Sequence, residues 1–200
     1  LSTSTPITAN TLTIAGYLGS ATVTVTADTT DMLVNNSVKK LAADVNAVKD
    51  STGVEATAIT KGKLSSVDTA GVISFDLGGN HTNGAEQTFY DVTATLAATS
   101  DLDPLVDAIN AHAANTGVTA VLGATASEII LTHQTGETIE LKKLSIGGGT
   151  TGTMRMTTLD KFGNSVTLAD TTLNRAAAAN TKQSTITLGG TATTGNKAGA

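Results

Sequence analysis

The chain has 200 residues, a net charge of -5, 2% aromatic residues and no Cys. The lack of Cys excludes disulfide-stapled folds and thiolate metal sites, and an acidic chain with two Tyr and no Trp lacks the features of a nucleic-acid-binding protein. No apolar run approaches the roughly 18 residues of a membrane span. Because 40% of the residues are hydrophobic and only 14% are charged, we expect a folded chain with a core of Val, Ile, Leu and Ala.

The N-terminal part of the chain shows strand and then helix periodicity. Alternating polar and apolar residues predict a strand at 11–14 and another at 21–26. A helix follows, with its apolar positions at helical spacing: Val38, Leu41, Val45 and Val48. Ser37 or Asn36 can cap the start of this helix, and Gly53 supplies a left-handed residue just past its end.

After the first helix the period returns to two, which predicts strands at 54–58 and 72–77. A second helix is indicated by an apolar stripe of three residues: Leu102, Leu105 and Ile109. Its start is capped either by Ser100 in a capping box with Asp103, or by Asp103 itself ahead of Pro104.

Further alternating runs surround and follow the second helix. They predict strands at 88–96, 118–122, 128–132, 138–141, 153–159, 165–168 and 184–188. Asn83–Gly84 is a hairpin-turn signal between the two halves, and 162–164 predicts another turn. Four consecutive Ala within 175–181 indicate a helical turn.

The most informative feature is an internal repeat. Residues 41–56 and 105–120 align without gaps at an offset of 64, and seven of the sixteen positions are identical. The identical pairs are Leu41/Leu105, Asn46/Asn110, Ala47/Ala111, Thr52/Thr116, Gly53/Gly117, Val54/Val118 and Ala56/Ala120. Such a register indicates a duplicated unit, in which each copy contains a strand, a helix and further strands.

These elements predict an α+β fold dominated by β-structure. We expect two tandem helix-on-antiparallel-sheet units, then β-hairpins, with the N- and C-terminal segments close together. The predicted division has four parts: 1–20, an entry strand and linker; 21–86, the first unit; 87–146, the second unit; and 147–200, a β-rich segment and linker pairing back toward the N-terminal strand. Since the chain begins without Met or a signal peptide, we expect a fragment or a processed chain.

The sequence contains no complete pattern for a catalytic, metal-binding or phosphate-binding site among those considered. Its His residues, His81, His112 and His133, form no HExxH pattern, and Asp101, Asp103 and Asp107 lack the EF-hand spacing, so helix capping explains these acids better. Residues 190–197 resemble a phosphate loop, but Asn196 stands where Lys is needed. We therefore predict no catalytic residues, no metal and no cofactor. The many Ser and Thr residues permit O-glycosylation.

The two repeated segments resemble a known motif. Residues 45–56, called the first motif here, and 109–120, the second motif, are similar to the flagellin hook IN motif of bacterial flagellins. Both share a hydrophobic-Asn-Ala element followed by Thr-Gly-Val-x-Ala, and the second motif keeps the Ile-Asn pair itself. The residues between the motifs, 63–66 and 71–79, also resemble flagellin sequences. The resemblance covers about residues 20–145.

The resemblance implies a structural protein rather than an enzyme. Flagellins polymerise through long helices, and no heptad segment of that kind occurs here. The chain therefore resembles the central, surface-exposed region of a flagellin, which is extracellular, belongs to the flagellar filament and supports motility. The expected partners are other flagellin subunits, which would be joined through helical regions absent from this chain. The resemblance also allows contacts between outer domains. We expect no nucleic-acid partner and no membrane insertion. Glycans are possible partners that the sequence does not demonstrate.

Tandem IN motifs also occur in filament-cap and hook-associated proteins. The alternative is thus a cap or adhesive module that binds a surface glycan or a host molecule. In either case we expect structural roles for the motif residues: Val45, Asn46, Ala47, Gly53, Val54, Ile109, Asn110, Ala111, Gly117 and Val118. The asparagines would bond local backbone, and the glycines would turn the chain back into the sheet.

Overall fold

The computed structural model describes residues 10–25, 37–80, 88–147, 152–166, 171–174 and 186–188. The helices are α1 (Val38–Asn46), α2 (Lys49–Thr52), α3 (Asp103–Asn110) and α4 (Ala113–Thr116). The strands are β1 (Asn10–Ala15), β2 (Ser20–Val25), β3 (Thr60–Ser65), β4 (Gly71–Gly78), β5 (Tyr90–Leu96), β6 (Val118–Leu122), β7 (Ile129–His133), β8 (Ile139–Ile146), β9 (Thr153–Leu159), β10 (Thr171–Asn174) and β11 (Ile186–Leu188). The predicted β-dominated α+β class is confirmed.

The strands form three antiparallel sheets. β1 and β2 make a two-stranded hairpin, and the two larger sheets have the strand orders β10-β9-β3-β7-β6 and β11-β8-β4-β5. The chain passes repeatedly between the larger sheets, since β3 belongs to the first, β4 and β5 to the second, and β6 and β7 to the first again. The predicted four-part division of the chain and the predicted pairing of its two ends stay predictions.

The main core lies between the two larger sheets. Their inward side chains and those of α3 form one buried cluster, which includes Leu64, Ile73, Phe75, Leu131 and Met156. Because strand residues alternate between faces, the outward positions of β5 are polar: Asp91, Thr93 and Thr95. Burial of this apolar surface stabilises the fold.

Helix α3 closes one side of this core. It packs against β5 and β6, which are the end strands of the two larger sheets among the described residues. Leu102, Leu105 and Ile109 point inward, and each is 0% exposed. The apolar stripe expected from the sequence therefore fills the gap between two sheet edges.

Helix α1 has a smaller partner. It contacts the β1–β2 hairpin, where Ile14, Val23 and Val45 form a separate buried cluster. Leu41, which aligns with Leu105 in the repeat, is only half-buried. The two aligned helices thus differ in packing, because α3 meets two large sheets and α1 meets a hairpin.

The start of α1 is fastened to the main body. Ser37 caps the helix, since its Oγ accepts a hydrogen bond from the Lys40 backbone N–H at 3.2 Å. Lys39 lies against the β7–β8 loop: its N–H donates to the Gly136 carbonyl at 3.2 Å, and its Nζ contacts Glu137 Oε1 at 2.5 Å. Of the two residues proposed as the cap, the structure selects Ser37.

The sequence analysis was wrong about residues 54–58, which form no strand. Their aligned counterparts, 118–122, form β6 by pairing with β7. Residues 54–58 have no such neighbour, because the next strand, β3, pairs with β7 and β9 instead. Alternation of side chains alone does not supply a hydrogen-bonding partner.

The cap of α3 also differs from both expected versions. Leu102 occupies the cap position without a side-chain bond, and Asp103 is already helical. The Asp101 carboxylate accepts the hydrogen bond from the Asp103 N–H at 3.2 Å. Strands β3 and β10 were missed. The Asn83–Gly84 turn, His81 and the segments 175–181 and 190–197 lie outside the described residues.

Two carboxylates fasten loops of the body. Asp68 accepts hydrogen bonds from the N–H and the hydroxyl of Thr153 at 2.9 and 2.7 Å, and these bonds hold the pKa of Asp68 below its usual value. Asp160 accepts bonds from the Asn164 side chain and from the Phe162 and Asn164 N–H groups, which lower its pKa in the same way. The first contact joins the β3–β4 loop to β9, and the second closes the turn predicted at 162–164.

The aligned leucines give a test of the packing difference. Leu105→Ala is expected to lower the free energy of unfolding by about 2–5 kcal/mol, because it leaves a cavity in a fully buried site. Leu41→Ala should cost roughly half as much or less, since that side chain is half-buried. Urea denaturation followed by circular dichroism measures both. Equal losses would contradict the unequal packing of α1 and α3.

Candidate functional site: the two helix–turn–strand motifs

The asparagine of each motif ties a helix end to backbone ten residues later. The Asn46 side chain donates to the Ala56 carbonyl at 2.9 Å and accepts from the Ala56 N–H at 2.8 Å. Asn110 makes the same two bonds to Ala120, at 2.9 and 2.8 Å. A side-chain amide has one donor and one acceptor side, so it pairs with a residue's backbone as a neighbouring strand would.

In the second motif this pairing takes place at a sheet edge. β6 is the end strand of its sheet among the described residues, with β7 on its other side. Since both backbone groups of Ala120 bond Asn110, they point away from β7. Asn110 therefore covers the part of the edge that a foreign strand would need for pairing.

Each motif turns through a left-handed glycine preceded by a threonine. Gly53 has φ 72° and Gly117 has φ 69°, and each follows a short helix. The Thr52 hydroxyl donates to the Val48 carbonyl at 3.0 Å and accepts from the Val54 N–H at 3.2 Å. Thr116 makes the corresponding bonds, to His112 and Val118, with the same two distances.

A second glycine contacts each turn from an adjoining strand end. Gly16 follows β1 and lies against the Thr52 carbonyl and the Val54 side chain. Gly79 follows β4 and lies in the same way against the Thr116 carbonyl and Val118. A Cβ at either glycine would overlap the threonine carbonyl oxygen, so only glycine permits this approach.

The two turns differ in the ring that covers their left-handed glycine. The Tyr17 ring lies over Gly53, although Tyr17 is 85% exposed. The imidazole of His133, which is 3% exposed, lies over Gly117. His133 Nε2 is 3.3 Å from Asn80 Oδ1, and Asn80 Nδ2 donates to the Asn115 carbonyl at 2.7 Å.

The motif side chains supply packing and backbone bonds rather than reactive groups. Val45, Ile109 and Val118 are buried, Val54 is half-buried, and Ala47 and Ala111 end their helices with N–H bonds to carbonyls one turn earlier. Within the described ranges, no cluster of His, Asp and Glu could hold a metal ion. The His112 ring lies beside the Tyr90 ring, with centres 5.6 Å apart and planes tilted by 33°.

Sequence reasoning missed the glycine pair at 16 and 79 and the threonine hydroxyl bonds. The aligned threonines carried a signal for the hydroxyl bonds, because Thr within a helix end can bond the carbonyl four residues back. The glycines lie at an offset of 63 instead of 64. A gap-free alignment of the two repeated segments therefore does not place Gly16 opposite Gly79.

Comparison with known proteins gives one family match. Residues 74–135 match the family model described as Flagellin hook IN motif, which is less than a third of the chain. The matched segment contains β5, α3, α4, β6 and β7, and therefore the whole second motif. No curated protein matches the chain. Among the described residues, no helix is long and apolar enough to cross a membrane.

The asparagine bridges can be tested in matched variants. Asn110→Ala should lower the free energy of unfolding by about 1–3 kcal/mol, because it removes two hydrogen bonds and leaves the Ala120 backbone unpaired. Asn46→Ala should cost less, since its bonds are exposed. Chemical denaturation measures both, and amide hydrogen exchange at Ala120 should speed up only in the Asn110 variant. Unchanged exchange at Ala120 would contradict the bridge.

Substitutions at Gly117 and Gly163 separate the effect of a steric contact from the effect of backbone strain. Gly117→Ala adds a methyl group against His133 and Asn80 at a left-handed residue, and should cost about 2–4 kcal/mol. Gly163 also has positive φ, 91°, but nothing lies within 4 Å of an added Cβ. Gly163→Ala should therefore cost only about 1 kcal/mol. Thermal denaturation of both variants measures the difference, and equal shifts would refute the role of His133.

Proposed function

We propose that the chain is a structural, non-enzymatic module of a flagellin-type subunit, namely the surface-exposed outer region of a bacterial flagellar filament. The observation that carries the proposal is the agreement between the family match at 74–135 and the geometry of the second motif. The matched residues include the Asn110 bridge, the Thr116 bonds and the Gly117 turn. They are therefore the parts that define this unit's shape.

A second copy of the motif supports a flagellin-type assignment for more of the chain. The first motif lies outside the matched residues, yet Asn46 and Thr52 make the same hydrogen bonds as their counterparts, and Gly53 is left-handed as Gly117 is. Gly16 likewise corresponds to Gly79. We infer that both motifs are IN motifs arising from one duplicated unit.

The short helices support an outer position. In the described residues the longest helix, α1, has nine residues, and a coiled-coil wall requires several heptads. Contacts between subunits through long helices would thus belong to other parts of the subunit. The described residues would then project outward from the filament, where they face the extracellular medium and support motility as part of the propeller.

The contacts of the motif side chains support the proposal of a non-enzymatic role. Asn46, Asn110, Thr52 and Thr116 use their polar groups on backbone atoms two to ten residues away. Groups engaged in this way hold a fold together and are not available to a substrate. A structural role without a cofactor agrees with this geometry.

Immunogold electron microscopy tests the proposal. An antibody raised against the 200-residue chain should label the flagella of the bacterium that encodes it along their full length, without permeabilising the cells. Deletion of the gene is the control and should abolish labelling. Gold particles only at the filament tip would favour a cap protein, and unlabelled flagella would refute a filament role.

A further inference from the structure

The two motifs differ in what lies beyond the residue that the asparagine bonds. In the second motif, Asn110 bonds one side of Ala120, and strand β7 pairs along the other side of β6. In the first motif, Asn46 bonds Ala56 with the same two distances, 2.9 and 2.8 Å. Among the described residues, no strand pairs with the other side of this segment. The first motif therefore lacks the neighbour that β7 provides in the second.

Residues 54–58 have the side-chain alternation of a strand. Glu55 and Thr57 are exposed, while the three residues of the other set are half-buried: Val54, Ala56 and Ala58. The aligned strand β6 alternates in the same register. Since both backbone groups of Ala56 point toward the asparagine, the backbone groups of its two neighbours point the opposite way.

The backbone groups of Glu55 and Thr57 form what we call the unpaired edge. In the part of the chain that the structure describes, neither residue makes a backbone hydrogen bond, whereas the aligned residues of β6, Thr119 and Val121, pair with β7. The Glu55 carboxylate lies 2.9 Å from Lys49 Nζ, so its charge is compensated within the chain. Neither proline nor lysine, which often protect such an edge, occurs within 54–58.

Two neighbours limit the unpaired edge to three residues, 55–57. At one end, the Tyr17 ring lies over Gly53, in the place that the His133 ring of β7 takes in the second motif. At the other end, Gly136 of the β7–β8 loop lies against Ala58. A strand as long as β7 would meet both neighbours, so the edge fits a short partner.

A second copy of the same three residues meets this requirement. When two copies run antiparallel about Ala56, Glu55 of each lies opposite Thr57 of the other, and each opposed pair can exchange both backbone hydrogen bonds. The two Ala56 residues then face each other as a non-hydrogen-bonded pair, in which small side chains permit the close approach. No like charges are directly opposed, because Glu55 faces a threonine hydroxyl.

We propose that the unpaired edge binds the unpaired edge of a second copy of this chain, in an antiparallel contact centred on Ala56. The contact is isologous, since the same residues serve both sides. It is short and therefore weak between isolated copies, and it strengthens where copies are held side by side at a high effective concentration. Strand pairing of this kind depends on the geometry of the repeat and not on the proposed filament role.

Sedimentation equilibrium of the full 200-residue chain measures the association. We expect a monomer–dimer equilibrium with a Kd of about 0.1–1 mM. Thr57→Pro removes an N–H from the unpaired edge and should abolish dimerisation. Thr57→Ala is the matched control, because it keeps the N–H, and it should change the Kd by less than about threefold. Melting curves of both variants establish that they remain folded.

Charged side chains at position 57 test the register of the contact and leave the backbone unchanged. Thr57→Lys places an ammonium group opposite Glu55 of the second copy and should tighten the Kd about fivefold. Thr57→Glu opposes two carboxylates and should weaken it about fivefold. Val121→Lys is the matched control, since Val121 aligns with Thr57 and is also exposed but lies on β6, where β7 fills the edge. It should leave the Kd unchanged.

Several outcomes would overturn the proposal. They are a chain that stays monomeric at about 2 mM, equal association of Thr57→Pro and Thr57→Ala, or opposite signs for Thr57→Lys and Thr57→Glu from those expected. Equal tightening by Val121→Lys would also overturn it, because net charge would then explain the effect. If Thr57→Pro does not fold, the charge variants decide the question.

NMR spectra recorded on dilution locate the contact. Amide shifts should change at residues 55–57 and fade in Thr57→Glu. Shifts confined to another part of the chain would show a different interface and would overturn the proposal. None of these results bears on filament labelling, so the two proposals fail separately.

Discussion

The structure depends on one repeated constraint, a side-chain amide that bonds the backbone ten residues further along the chain. Asn110 fixes the distance from the end of α3 to β6, and Asn46 does the same for α1 and residue Ala56. The segment between each asparagine and its alanine contains a short helix and the left-handed glycine. This segment must fit the distance that the bridge sets. The bridge therefore converts a loop, whose closure costs conformational entropy, into a defined turn.

The same constraint has different consequences in the two units. Around α3 the turn delivers β6 to β7, which joins the helix to a sheet and buries Leu105 and Ile109 completely. Around α1 the residues directly after the turn, 54–58, form no strand, and the helix packs on a hairpin with a small cluster of its own. The Lys39 contacts with Gly136 and Glu137 then attach the start of α1 to the larger body. Local geometry is common to both units, while burial depends on which strands lie nearby.

The sequence predicted local features well, and non-local ones poorly. Helical spacing located α1 and α3, and the position of Gly53 and Gly117 predicted their left-handed turns. The prediction of a strand at 54–58 was wrong, because alternation of apolar and polar residues cannot show whether a partner strand exists. The assignment of strands to sheets and the close approach of the glycines at 16 and 79 depend on contacts between residues far apart in sequence. Periodicity carries no information on such contacts.

A chain with few aromatic residues needs another way to pack its elements closely. This chain uses glycines. Glycine at 16 and 79 lets a strand end touch the threonine carbonyl of the turn, so backbone approaches backbone where other proteins would place a large ring. In the second motif the turn leads into β6, an end strand of its sheet among the described residues. If many copies lie side by side in a filament, as proposed, an open β6 edge would invite pairing between neighbours. Asn110 closes that edge from within the same chain, so the bonds that complete the local fold also block strand addition at Ala120.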